Sequence, residues 1–551
     1  MHTEIKNVQK TYIQDSKCKD KTNNIFRAMK KVFLLIATTI LNSSILILDS
    51  HAGGMMTNTN QNAAFIRNPA RDGAIGIDGV YSNPAGVALM PEGWHMSLNW
   101  QLAWQRRIAE TQNPVFMRDA SNGGSDSKHY RGVATAPFLP SVQLAYNWKK
   151  FSFQASGAVS GGGGKCTFDS GLGSFDAAIG RVWVGMLSPV ANNLNNLFSA
   201  YGLHAKAPVS TGYSSNGFME GKQYYFGGTI GAAYKIVDEE NIKVSGYAGV
   251  RFLYGMAGYK AEITNIKVHT TDGAQPLASY INNISNSIYQ AGVEAAMAGK
   301  TEAVLAVTKA GEVLSQQSGQ LAKYYNGVYL QSDQNGFGVC PIIGLDVKYQ
   351  WVNFAFKYEF RTKMNMTNSS TVKEAGLFSA VNQFVDGTSV REDTPALLTL
   401  GLEVEPLKGL RFDVGYHHFY DRQARKTYFD ANGNRHDDKN QMLSHGTNEW
   451  LVGAEYDFGK DKRWTVSGGI QTTNYGNTDE YMSDISFVTN SWSFGTGVKY
   501  KINDKMAVNV GYFQTNYRDY NQAADYRDAA GSNNKFTRRN RVFAAGLDID
   551  F

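Results

Sequence analysis

The chain has 551 residues, length enough for several soluble domains, but 56 glycines and 12% aromatics suit strands joined by tight turns better than a string of enzyme domains. The formal charge of +6 is concentrated at the N-terminus. Residues 1–52 hold eight Lys/Arg and four Asp/Glu, so the remainder carries 46 basic and 44 acidic residues, +2, which gives no basis for nucleic-acid binding. A mean hydropathy of −0.34 excludes a helical membrane protein, but not a membrane β-barrel, where only alternate strand residues meet lipid.

The first element is a leader. Lys30-Lys31 precede Val32-Phe33-Leu34-Leu35-Ile36-Ala37, the apolar character continues to Leu48, and Ser50 and Ala52 form a small-x-small site. This pattern predicts a secretory signal within residues 1–52, cleaved after Ala52, with Met29 as an alternative start. Asn42-Ser43-Ser44 and Asp49 weaken the alternative of an anchoring helix, and no Cys stands at the cleavage site to carry a lipid. Cys166 and Cys340 remain in the exported part, either as a disulfide or as two unrelated thiols.

From residue 94 onward the chain alternates with period two. Met96, Leu98, Trp100, Leu102 and Trp104 alternate with Ser97, Asn99, Gln101 and Ala103, and Trp450, Val452, Ala454, Tyr456 and Phe458 repeat the pattern. Fourteen strands are predicted, near 94–106, 138–148, 151–160, 222–236, 241–259, 337–350, 352–363, 394–405, 409–421, 448–458, 463–474, 485–502, 505–518 and 539–551. Their connections alternate in length. Lys149-Lys150, Gln350-Trp351 and Asn503-Asp504 are short, whereas 107–137, 161–221 and 260–336 are long. Short turns on one rim and long loops on the other fit an all-β, transmembrane, antiparallel up-and-down barrel, and a soluble sandwich has no reason for them. The Ala-, Glu- and Gln-rich stretch 278–325 predicts a helical insertion in the third outer loop, and 171–205 a weaker second one.

The chain ends Phe543-Ala544-Ala545-Gly546-Leu547-Asp548-Ile549-Asp550-Phe551. Leu547, Ile549 and Phe551 share one face, and a closing strand ending on Phe resembles the assembly signal of bacterial outer-membrane barrels. Before the first strand, Asp78-Gly79-Val80-Tyr81-Ser82-Asn83-Pro84-Ala85-Gly86-Val87 resembles the Asn-Pro-Ala segment of the FadL/TodX family. Ala136-Pro137-Phe138-Leu139-Pro140-Ser141-Val142 and Asp393-Thr394-Pro395-Ala396 are similar to that family's entries into later strands. The resemblance implies a barrel over 94–551 closed by an N-terminal hatch over 53–93, with Asn83, Pro84 and Ala85 at the hatch's end. It further implies passive outer-membrane transport of long-chain fatty acids or other hydrophobic molecules, with lateral exit through a gap at the third strand. Gly157, Gly161 and Gly162 are candidates for that gap, since Gly within a strand marks bulges and bends. An upstream Asn68-Pro69-Ala70 repeats the tripeptide with no role legible in the sequence.

No catalytic motif stands in a supporting context, so neither an enzyme nor a cofactor or metal site is expected. His417 and His418 are adjacent in a strand, point to opposite faces and cannot chelate together. The expected partners are outer-membrane lipid, a hydrophobic small molecule and the barrel-assembly machinery, with the protein a monomer. Two further readings stand below transport: a surface interaction or adhesion protein displaying its large outer loops, and a general diffusion porin. About forty residues ahead of the first strand are unnecessary for a porin.

Overall fold

A computed structural model describes residues 62–373, 383–430, 434–523 and 532–551; the predicted leader and the first part of the predicted hatch lie outside them. Fourteen membrane-crossing strands close into one antiparallel barrel. They are β1 (Gly93–Gln112), β2 (Ser127–Trp148), β3 (Phe151–Phe168), β4 (Ser210–Asp238), β5 (Ile242–Thr270) and β6 (Val328–Tyr349). β7 crosses in two pieces, Val352–Glu359 and Asn365–Lys373, and β8 likewise as Ser389–Arg391 and Leu397–Leu407. β9 (Leu410–Phe419), β10 (Asn448–Phe458), β11 (Trp464–Asn474), β12 (Ser491–Asn503), β13 (Met506–Tyr517, continued by Tyr520–Gln522) and β14 (Asn533–Asp550) complete the wall. β14 pairs with β1 from His95–Asp550 to Gln112–Asn533, and Phe551 donates its N–H to Trp94 O at 2.9 Å, so no long edge is left open.

The outward residues explain why this surface belongs in a bilayer. Leu98, Ile230, Val452 and Ile470 stand exposed on the outside, an apolar belt that would drive aggregation in water. Aromatic girdles bound it. Trp94 packs on Tyr146 and Trp464 on Tyr500 near the short turns, and Tyr416 packs on Trp450 near the opposite rim. Closure satisfies the backbone groups that hydrocarbon cannot. Among the described residues no helix is long and apolar enough to cross a membrane.

The strands run further outward than the alternation predicts: β2 begins at Ser127 rather than 138, and β4 at Ser210 rather than 222. Above the bilayer the outward side chains turn polar, as at His129, Glu110 and Lys222, so the hydrophobic period fades while the hydrogen-bonded ladder continues. The predicted strand 485–502 begins only at Ser491, because Ile485 and Phe487 fold in over the mouth, where Phe487 stacks on Phe536 at 4.6 Å.

Both predicted helical insertions form. The first comprises α1 (Gly173–Val182), a turn of wider helix over Trp183–Leu187, and α2 (Ser188–Ala200); the second comprises α3 (Leu277–Met297) and α4 (Thr301–Leu321). Their apolar faces join one buried cluster, in which Phe175, Ile179, Leu194, Ile284 and Leu314 meet strand residues Tyr130, Cys166, Tyr225 and Leu253. The mouth is thus capped by a hydrophobic core continuous with the upper lumen. Cys166 and Cys340 are both free and buried.

Candidate functional site

Residues 62–91 run through the barrel as a hatch with little regular structure. It has a five-residue helix, Ala63–Arg67, and 3-10 turns at Arg71–Gly73, Ile77–Val80 and Gly86–Leu89. Its first part lies against β8–β14 and its second against β2–β6. Asn62 caps the short helix by accepting from Ala64 N at 2.7 Å, and its amide reaches Gln143 Oε1 at 2.8 Å.

The hatch is held chiefly by charge. Glu455, pointing inward from β10, accepts on Oε1 from Arg67 Nη1 at 2.6 Å and from Arg71 Nη1 at 2.7 Å, while Oε2 lies 3.2 Å from Arg411 Nη2. Arg71 also clasps Asp78 within the hatch, Nε to Oδ2 at 2.6 Å. Burial alone would lower the pKa of Arg71, but Asp78 and Glu455 hold it well above the usual arginine value. Arg67 is lowered by burial, against the pull of Glu455. His417 of β9 lies between hatch and wall, with Nε2 3.0 Å from Asp72 Oδ2 and Nδ1 2.9 Å from Glu449 Oε2. His418 faces the other way, onto Asn448 and Tyr420.

The two Asn-Pro-Ala tripeptides make the same kind of anchor. Asn83 Oδ1 accepts from Gly86 N at 3.1 Å and its amide donates to Asp346 Oδ2 at 2.6 Å. Asn68 Oδ1 accepts from Ala70 N at 3.2 Å and its amide donates to Asp413 Oδ2 at 2.7 Å. In each copy the Asn side chain both turns the hatch and fixes it to an inward aspartate, and Pro sets φ at no hydrogen-bonding cost. Pro84 O and Ala85 O then accept from Gln154 Nε2 and Ser245 Oγ, each at 2.7 Å.

Within the hatch, Tyr81 lies under the cations of Arg251 and Lys357, 5.0 and 4.7 Å from its ring centroid. With Ser160, Leu253 and Phe419 it lines a cavity of about 30 Å³. Beside that cavity the wall loosens. The β2–β3 ladder pairs Ala134 with Cys166, and its next registered pair is Ser141 with Ala158. β3 also gains two residues against β4, shifting register between Val159 and Gly161 and between Gly161 and Gly164. Pro137 and Pro140 bring no N–H to the facing stretch of β2.

A search of solved structures places this architecture. A Pseudomonas aeruginosa FadL homologue matches with a TM-score of 0.58 at 12% identity, over 90% of this chain and 100% of that one. The fold is FadL-type. The Pseudomonas putida toluene transporter TodX (11% identity, 86% and 94% covered, TM-score 0.49) and the Ralstonia pickettii toluene transporter TbuX (13%, 90% and 99%, 0.44) are also similar. No protein-family model and no curated protein matches the sequence.

Within the FadL-type barrel, Gly161 and Gly162 lie in the loosened wall. Gly162 takes φ +111°, and a Cβ there would stand 2.2 Å from Gln223 O. Gly157 lies just below, regularly paired with Val142 and Gly228. Leu547 and Ile549 register with Leu98 and Met96 at the β14–β1 seam that Phe551 ends. Among the described residues no group of three or more His, Cys, Asp or Glu is arranged to hold a metal ion.

Sequence reasoning missed the charged anchors Arg67, Arg71, Asp413 and Glu455, and also a pair of arginines higher in the lumen. Arg107 of β1 and Arg538 of β14 are direct cross-strand partners on the inward face. Arg107 is 1% exposed with Nη2 unmatched, and Arg538 has Nε unmatched. Like charges placed opposite each other disfavour the bare pair. A usable signal was present: Arg107 is an odd-numbered residue in a strand whose even-numbered residues face lipid.

Proposed function

We propose that this protein carries hydrophobic molecules with an anionic head, long-chain fatty acids foremost, passively across the outer membrane, releasing them sideways into the bilayer. One observation carries the reading. The interrupted β2–β3 ladder lies between the apolar cluster at the mouth and the surrounding hydrocarbon, next to an inward arginine pair with unmatched donors. A carboxylate entering there would neutralise Arg107 and Arg538 through charge-assisted hydrogen bonds, while the acyl chain stays on apolar surface. The hatch below blocks direct passage to the far side, leaving the wall as the shorter route. The FadL-type fold supports the same reading, and a lumen occupied by a hatch bonded to the wall on both sides does not favour a diffusion porin.

Cells producing the protein should take up labelled oleate faster than cells without it. The Arg107→Ala/Arg538→Ala variant should lose about tenfold of that gain, since a hydrogen bond to a charged group is worth about 1.5–3 kcal/mol, while toluene entry stays unchanged. Deleting Gly162-Gly163 shortens β3 by the two residues it gains on β4 and should depress uptake of both. Equal uptake with and without the protein, and no oleate on the purified barrel, would end the proposal.

A further inference from the structure

The outer wall of β14, β1 and β2 carries a second set of arginines that the transport reading does not use. Arg106, Arg131, Arg539 and Arg541 all point away from the lumen and are exposed. Arg106 registers directly with Arg539, Trp104 with Arg541, and Ile108 with Arg131, so the four guanidinium groups form one patch across three adjacent strands. Arg106 and Arg539 repel each other across the ladder. Among the described residues none of the four has an ion-pair or hydrogen-bond partner. The outward carboxylates higher on this wall are held elsewhere: Glu110 faces His129 at 3.8 Å, and Asp519 accepts from Thr537 at 2.9 Å and pairs with Lys535 at 3.1 Å. On the neighbouring wall of β3–β6 the outward cations of the upper strands are paired: Lys165 with Glu220, Lys222 with Asp333, Lys260 with Glu262.

Height identifies what would neutralise the patch. On β1 the outward row below Arg106 runs Trp94, Met96, Leu98, Trp100, Leu102 and Trp104; on β14 the row below Arg541 is Phe543, Ala545, Leu547 and Ile549. The arginines therefore begin where the apolar belt ends, on the rim bearing the long loops. At that depth the outer leaflet presents the phosphates of its glycolipid, with acyl chains extending down along the belt. Gln514 and Asn516 of β13, opposite Arg541 and Arg539, add polar groups on the same face.

We propose that this patch is a binding site for the phosphorylated lipid A portion of lipopolysaccharide. Its phosphates are held by the four arginines, and its acyl chains lie over the Trp100–Phe543 surface, where the rings meet edge-on at 6.2 Å. Arginine suits the task because its planar fork matches phosphate oxygens two at a time. The site abuts the β1–β2 wall beside the loosened β2–β3 ladder, so a lipid held there would also border the proposed exit.

The test is binding of lipid A to the purified full-length barrel in detergent, followed by native mass spectrometry. The wild type should retain bisphosphorylated lipid A at least tenfold more tightly than dephosphorylated lipid A, and millimolar inorganic phosphate should not displace it. Replacing the four arginines by alanine should remove the preference for the phosphorylated form, and replacing them by lysine should leave part of it. Should the alanine variant fail to fold, as judged by heat-shifted electrophoretic mobility, the wild-type comparison of the two lipids and the lysine variant still decide. Equal retention of both lipids by the wild type, unchanged preference in the alanine variant, or displacement by free phosphate would each overturn the proposal. None of these outcomes depends on oleate transport.

Discussion

Replacing Glu455 by alanine should release the hatch and turn a closed barrel into a conducting one. Glu455 is 3% exposed and is the only carboxylate that both Arg67 and Arg71 reach among the described ion pairs. Without it, Arg71 keeps Asp78, Arg411 keeps Asp457 at 2.9 Å, and Arg67 keeps only neutral partners, Asn509 at 3.1 Å and Ser467 at 2.8 Å. Stripping one partner from a buried ion pair costs about 3–5 kcal/mol, because the remaining charge is left without water or counter-ion. The hatch is the part that yields. The barrel wall is closed by backbone hydrogen bonds that lipid cannot replace, whereas the hatch meets the wall through side chains and regains hydration of its arginines on leaving. A loss of that size raises the undocked population by roughly a hundredfold or more. Single-channel recording in planar bilayers should show long-lived open events for Glu455→Ala, fewer for Glu455→Gln, and a closed wild type. A fully folded Glu455→Ala barrel that conducts no more than the wild type would remove Glu455 from the role of hatch anchor.

The alternation that predicts the wall is legible because lipid enforces it: Trp450, Val452, Ala454 and Tyr456 must all be tolerable in hydrocarbon, so the residues between them face inward by default. Glu449, Gly453 and Glu455 were therefore recognisable as lumenal without a structure. What each of them touches was not. Arg67 reaches Glu455 across 388 positions of chain and Asn83 reaches Asp346 across 263, through a hatch of short 3-10 turns that carries no period from which to infer a path. Residues Asn365–Lys373 illustrate the opposite failure. They extend β7 above the membrane, with Met364 and Met366 turned into the mouth, so nothing outside required apolar alternation and the strand was missed. The second Asn-Pro-Ala copy was visible but mute, since its meaning lies in Asp413 on a distant strand.

The inward glycines of the β8–β13 wall lead to the other large expected effect. Gly401 registers with Gly415, Gly453 with Gly469, and Gly497 with Gly511, and hatch backbone or side chain lies directly on them. A Cβ on Gly401 would stand 2.1 Å from the carbonyl carbon of Asp72, and one on Gly453 would stand 1.9 Å from Asn68 Oδ1. Neither Gly401 nor Gly453 needs its freedom for a left-handed backbone, and the atoms nearest a Cβ at either belong to the hatch, so a side chain there does not strain the strand itself. What it removes is the room by which the hatch lies flush enough for Arg67, Asn68 and Asp72 to reach Glu455, Asp413 and His417. Gly453→Leu and Gly401→Val should therefore fold as barrels yet lose hydrogen-exchange protection across residues 62–91, by orders of magnitude where docking alone protects the amides. Gly228→Leu is the matched control, because its added Cβ meets nothing within 4 Å and faces outward. Full hatch protection in Gly453→Leu would mean that the hatch can shift bodily along the wall. The charge pairs would then position it more loosely than their distances imply, and the effect expected of Glu455→Ala would shrink in proportion.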